Sequence, residues 1–181
     1  MLTGSEIKRL VNNGSLVIEP FNEDQINPNS YNLTLANTLL VYDGENPILE
    51  TKKPNPTKKL IIPEHGIVLQ PGILYLGSTV EYTKCGKYIA CIDGRSSIGR
   101  LGVQIHLTAG FGDIGFEGKW TLEISVIHPV RIYAGMQICQ IYFESPEGAT
   151  DILYHGKYMN QDAPKESHIF EDFADIISKE E

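Results

Sequence analysis

Apolar residues near the start of the chain recur with a helical period. Ile7, Leu10 and Val11 form one stripe, Thr3 and Glu6 have capping-box spacing, and Asn12-Asn13-Gly14 supplies a stop. The pattern predicts a helix over residues 3–13 that packs on a core. From Leu16 the period changes. LVIEPF is a short apolar run ended by Pro20, and Tyr31, Leu33, Leu35, Leu39 and Val41 alternate with polar residues as a half-buried strand requires. Residues 43–60, rich in proline and lysine, lose all periodicity and read as an exposed excursion. Strand-like runs then return in IIPEHGIVLQPGILYLGSTVEYT, YIACID, WTLEISVI and VRIYAGMQICQIYFES. About ten short strands, with turn signals roughly every ten residues and one or two helices, predict a mainly β sandwich or barrel. The tail, residues 151–181, opens polar and aromatic and predicts a short helix around 167–178. It is either a flap over a ligand or a loosely packed end.

Composition narrows the class. A chain of 181 residues suits one domain with a real core, and 41% apolar with 21% charged residues are ordinary globular values. A net charge of -8 argues against a sequence-independent nucleic-acid binder, although locally grouped cations could still hold a small anion. Cys85, Cys91 and Cys139 form no CxxC pair and are odd in number, which points to a reducing compartment and mostly buried thiols. No apolar run approaches a membrane span, so the expectation is a soluble, cytoplasmic protein without a membrane partner.

Candidate chemistry concentrates in Gly94–Glu123. In GRSSIGR, glycines permit close backbone approach, serines donate, and the forks of Arg95 and Arg100 suit phosphate; a polar turn with surface arginines is the alternative. Neither a Walker loop nor GxGxxG is present. Asp113, set among glycines, could aim a carboxylate at water or a sugar hydroxyl, or simply make a turn. Glu123 shares a strand face with Thr121 and Ser125. That face is either solvent or a site where a desolvated carboxylate could accept and return a proton. The five histidines show no metal-ligand spacing, and the H-x-E…P-C-x-x-C signature of zinc deaminases is absent, so each reads as structural or exposed.

Taken together, INPNSYNLTL, GRSSIGRLG, TAGFGDIGFEG, TLEI, GMQICQIYF and YHGKYMNQ resemble the dCTP deaminase family of the dUTPase-like superfamily over almost the whole chain. Asn32 stands where the family usually has aspartate. The resemblance implies a mainly β, distorted jelly-roll or barrel domain over 1–181, with an N-terminal helix, a short C-terminal helix and residues 151–181 closing over the nucleotide. It implies that Arg95, Ser96, Ser97, Ile98, Gly99 and Arg100 bind the triphosphate, with Ser96 and Arg100 also near the base. Asp113 would hold the deoxyribose 3′-hydroxyl, and Thr121, Leu122 and Glu123 would line the base. Gln140, Tyr154, Lys157 and Gln161 would complete the contacts. Glu123 would be the catalytic carboxylate and the Ala109 carbonyl would help position water. Mg²⁺ would travel on the triphosphate, zinc would play no part, and a homotrimer would build its sites between subunits.

Two forms of that family exist, one stopping at dUTP and one continuing to dUMP. Gly110-Phe111 and the compact YHGKY resemble the second form. Gly112 and Ile114 depart from the apolar residue and the proline usual beside the aspartate, and a flexible glycine there weighs against the second step. A dUTPase, or a trimeric nucleotide sensor without catalysis, are the rival readings. The dUTPase would have no use for Glu123, and it would usually carry a tyrosine-bearing hairpin for uracil that this chain lacks.

Overall fold

The first helix, α1 (Gly4–Asn12), starts where Thr3 accepts a hydrogen bond from the Glu6 N–H at 3.3 Å. Only half of the predicted capping box forms, because the Glu6 carboxylate turns to Arg9 instead of back to Thr3. Ile7 and Leu10 carry the buried face. The computed structural model describes residues 1–44 and 48–173.

The chain then runs through β1 (Val17–Glu19), a 3-10 turn at Glu23–Gln25, β2 (Tyr31–Thr34), β3 (Thr38–Tyr42) and β4 (Thr57–Ile61). Next come β5 (Ile67–Leu69), β6 (Tyr75–Ser78), β7 (Tyr82–Lys84) and β8 (Ile89–Gly94), followed by a single helical turn, α2 (Ser96–Gly99). Three two-residue strands follow: β9 (Val103–Gln104), β10 (Phe111–Gly112) and β11 (Glu117–Gly118). The last strands are β12 (Thr121–Val126), β13 (Val130–Ile132) and β14 (Gln137–Glu144). Among the described residues these form four sheets, ordered β1-β7-β11, β10-β8-β14-β2, β4-β3-β6-β12-β9 and β13-β5. None of the four closes on itself, so the barrel reading gives way to open sheets packed around one core. Every ladder is antiparallel. The core draws on β2, β12 and β14, where Tyr31, Leu33, Leu122, Ile124, Ile138, Ile141 and Phe143 are fully buried.

Two further expectations change. Residues 57–60 are not part of an excursion: β4 pairs with β3 in continuous register from Thr38↔Ile61 to Tyr42↔Thr57. As an edge strand it needs little apolar alternation, and the exposed Lys58 and Lys59 discourage further pairing. At the other end, the described part of the predicted C-terminal helix is a 3-10 turn at Ile169–Phe173, and its positions 174–178 lie outside the described residues.

A buried polar cluster ties the N-terminal segment to the sheets. Glu81, almost inaccessible, accepts from the Thr34 N–H at 2.8 Å and from Gln25 Nε2 at 3.0 Å. Asn32 accepts from Asn27 Nδ2 and donates to Gln137 Oε1, each at 2.8 Å, a double role that an ionised aspartate could not fill. The thiols follow expectation for Cys85 and Cys139, which are buried, with burial pushing Cys85 up to about 12 and Cys139 further. Cys91 is partly accessible. Among the described residues no helix is long and apolar enough to cross a membrane.

Candidate active site

The segment after β8 is anchored from below. Ile98 buries its side chain and pins the α2 turn to the core, leaving Ser96, Ser97, Gly99 and Arg100 exposed. Arg95 Nη1 donates to the Gln137 carbonyl at 2.7 Å. Gln140 is spent in the same way: its Nε2 donates to the Gly94 carbonyl at 2.9 Å, and its Oε1 accepts from Ser30 Oγ at 2.7 Å. Gln140 therefore braces the base of the turn. A cleft of about 560 Å³ opens here, lined by Gly94, Arg95, Ser96, Gly99 and Gln140.

A second cleft of about 530 Å³ adjoins it and shares His106 and Leu107 with the first. Strict alternation along β12 builds its wall: Leu122, Ile124 and Val126 point into the core, and Thr121, Glu123 and Ser125 lie on the other face. Leu122 is fully buried, so its side chain belongs to the core and only its main chain could meet a ligand. Ala109, Asp113, Thr121, Glu123, Tyr154 and Gln161 all line this cleft.

The Glu123 carboxylate is only about a third exposed and accepts from the Leu107 N–H at 3.0 Å. His106 Nδ1 lies 4.0 Å from the same oxygen, and both imidazole nitrogens are buried without a partner among the described residues. Burial lowers the His106 pKa, and the Glu123 charge only partly opposes that. Burial thus disfavours the charged imidazole that an ion pair with Glu123 would need. Next to it the loop is fixed by the Ile92 N–H, which donates to the Gly110 carbonyl at 2.6 Å.

Asp113 starts a turn closed by the Phe116 N–H on the Asp113 carbonyl at 3.1 Å, with Gly115 in the left-handed region at φ +91°. The Tyr154 N–H donates to the Ile114 carbonyl at 2.8 Å, so the tail is stitched to this turn. Phe116 packs against Trp120 and Tyr154 at centroid distances of 4.7 and 5.9 Å, forming an aromatic wall.

The tail docks on its own chain. Gln161, buried, donates to the Lys119 carbonyl at 2.5 Å and accepts from Thr121 Oγ1 at 3.4 Å, while the Lys165 N–H donates to Thr121 Oγ1 at 3.2 Å. Lys157 lies outside both clefts, held by the His168 carbonyl at 3.2 Å and by Asp172. The structure thus gathers the carboxylates with Tyr154 and Gln161 in one cleft, and Arg95, Ser96 and Gly99 in its neighbour, with Ser97, Ile98, Arg100 and Lys157 in neither. Sequence reasoning missed His106 and Leu107, which divide the two. Histidines were weighed by metal spacing, and that test cannot find one whose part is to be buried beside a carboxylate.

Residues 1–145 match the family described as dCTP deaminase-like. A "dCTP deaminase, dUMP-forming" of Clostridium acetobutylicum is 58% identical over 173 residues, covering 96% of this chain and 98% of the relative. The chain belongs to the dCTP deaminase-like family. Another family member, the "dCTP deaminase, dUMP-forming" of Cytophaga hutchinsonii, is 50% identical over 173 residues, again covering 96% of this chain and 98% of the relative. Among solved structures, the 2′-deoxycytidine 5′-triphosphate deaminase of Agrobacterium tumefaciens shares the fold. Its TM-score is 0.61 at 23% identity, and the match covers 78% of this chain and 47% of that one. The mainly β architecture with an N-terminal helix is thus that of the dCTP deaminase-like family.

Proposed function

We propose that this protein converts dCTP to dUMP by deamination followed by diphosphate release. The observation that carries the reading is the part-buried Glu123 carboxylate, fixed by the Leu107 N–H on a cleft wall that also bears Ala109 and Asp113. Whole-length likeness to dUMP-forming dCTP deaminases gives that carboxylate its substrate.

In the first step Glu123 takes a proton from water as the oxygen bonds to carbon 4 of cytosine. The proton passes to the ring nitrogen. Glu123 then carries the hydroxyl proton of the tetrahedral centre to the exocyclic nitrogen, the C–N bond breaks as the carbonyl forms, and ammonia leaves with dUTP as product. The Ala109 carbonyl positions the water, and Ser96 and Arg100 stabilise charge near the base. Thr121, with the main chain of Leu122, borders the base. Arg95 to Arg100 bind the triphosphate, while Gln140 holds their turn in place. In the second step Asp113, which also holds the sugar, orients a water toward the α-phosphorus, and pyrophosphate leaves. Tyr154, Gln161 and Lys157 complete the contacts from the tail.

Mg²⁺ enters this proposal with the triphosphate. Phosphate oxygens are hard donors of the kind that Mg²⁺ takes. Chemistry that the ion supplies, neutralisation of phosphate charge, would come with the substrate. The reading takes the open sheets as a distorted jelly roll and residues 151–181 as the closing tail of one domain. It also takes the protein as a homotrimer with sites between subunits. Exposed Leu101, Leu107, Phe111 and Ile127 near the two clefts supply apolar surface for such contacts.

Incubation with dCTP and Mg²⁺, followed by anion-exchange separation, tests the reading. The expected products are ammonia, dUMP and pyrophosphate. Accumulating dUTP would reduce the activity to deamination alone, and unchanged dCTP would refute a deaminase.

A further inference from the structure

The turn that carries Asp113 is entered through Gly112, the residue that in sequence terms loosens it. The geometry gives that glycine a different part. Gly112 is not in a flexible loop but in β10, paired with Ala90 of β8. A Cβ built on it would lie 2.3 Å from Cη2 and 2.9 Å from Cζ3 of the Trp120 indole. The room that any side chain at 112 would need is already filled.

The indole has little freedom to yield. Trp120 is 6% exposed and its Nε1 donates to Thr83 Oγ1 at 2.9 Å. Its main chain is fixed by Thr79, whose Oγ1 accepts from the Trp120 N–H at 3.0 Å and whose N–H donates to the Trp120 carbonyl at 3.0 Å. The Phe116 ring rests against it at 4.7 Å. Phe116 is the last residue of the Asp113 turn, and Gly112 immediately precedes the first. Both ends of the turn therefore rest on one buried, hydrogen-bonded ring. Trp120 also lines the Glu123 cleft and directly precedes β12, so the same residue links the strand that carries Glu123 to the turn that carries Asp113.

We infer that Gly112 and Trp120 form an interlocking pair in which Trp120 is a positioning residue for Asp113, and hence for the dUMP-forming step. The inference rests on the proposed role of Asp113 in that step. The missing side chain at 112 does not loosen the turn, because the indole occupies its place and holds the turn from beneath.

The test measures ammonia, dUTP and dUMP released from dCTP by wild type, Gly112→Ala, Trp120→Phe and the double variant, with a melting temperature for each. A methyl at 112 has to displace the ring, and the smaller phenyl of Trp120→Phe withdraws it. At saturating dCTP each single variant should therefore raise the dUTP-to-dUMP ratio by about tenfold. The double variant, whose phenyl leaves room for the methyl, should return most of the way to the wild-type ratio. A folded Gly112→Ala with the wild-type ratio overturns the inference, as does an equal fall in both steps or a double variant with no recovery. Should Gly112→Ala fail to fold, the ratio in Trp120→Phe decides alone. A wild-type enzyme that itself releases only dUTP overturns the dUMP-forming reading instead, and the positioning role with it.

Discussion

Replacing Glu123 by glutamine separates the two things its carboxylate does. One is to accept the Leu107 N–H at 3.0 Å, holding the loop that reaches Ala109; the other, in the proposed mechanism, is to accept a proton from water. Glutamine keeps an oxygen for Leu107 but has no basicity, so Glu123→Gln should retain the fold and dCTP affinity within about threefold. Loss of a positioned general base removes about 10² to 10⁴ in rate, equivalent to about 3–5 kcal/mol of barrier. Glu123→Ala removes the acceptor as well. A lost hydrogen bond to a charged group costs about 1.5–3 kcal/mol, and the lower end applies here because the side chain is about a third exposed. For a domain of this size about 1.5 kcal/mol lowers Tm by about 3–6 °C. Stopped-time ammonia release gives the rates, calorimetric titration with dCTP the affinity, and differential scanning fluorimetry the Tm. Ammonia release by Glu123→Gln within tenfold of wild type would refute the assignment. A Glu123→Ala variant as stable as Glu123→Gln would refute the part given to Leu107.

Two further outcomes follow from neighbouring contacts. The His106 pKa is lowered from 6.5 by burial, so acid favours the unfolded chain, which takes up a proton there more readily; His106 should contribute stability above about pH 6.5 that is lost as pH falls to its folded pKa, and urea titrations should show a flatter acid limb in His106→Asn. Lys157 must leave Asp172 to reach a phosphate, so Asp172→Ala should lower the KM for dCTP with kcat little changed; an unaltered or raised KM would show that Lys157 stays with the tail.

Much of this arrangement is legible in the sequence, and its gaps share a physical cause. Periodicity reveals an element when one face meets a core and the other meets water. That condition holds for α1 and for β12, and with it for Glu123, whose strand face follows from Leu122 and Ile124 alone. It fails for β4, an edge strand with lysines outward. It fails too for β9, β10 and β11, two residues each, which exist because of their partners and carry no pattern of their own. It fails for the tail, whose Gln161 is buried by hydrogen bonds to Lys119 and Thr121 instead of by apolar contact.

Site residues divide along the same line. Residues whose chemistry is carried by their own atoms, such as Glu123, Asp113 and the arginines, stand out by type and spacing. Residues whose part depends on what surrounds them do not. Gln140 presents the same amide whether it meets a nucleotide or braces the Gly94 carbonyl, and the bonds to Gly94 and from Ser30, far away in the chain, exist only in the fold. His106 is an ordinary histidine until both of its nitrogens are buried beside Glu123. Gly112 is the sharpest instance. Read alone, a glycine next to a candidate site aspartate means flexibility, since it lacks a Cβ to restrict it. Read with Trp120, eight positions along the chain and outside the sheet of β10, the missing Cβ means contact, because the restriction that glycine does not supply comes from a ring packed where a side chain would be. Flexibility at a glycine is thus a property of the space around it, and at Gly112 that space is full.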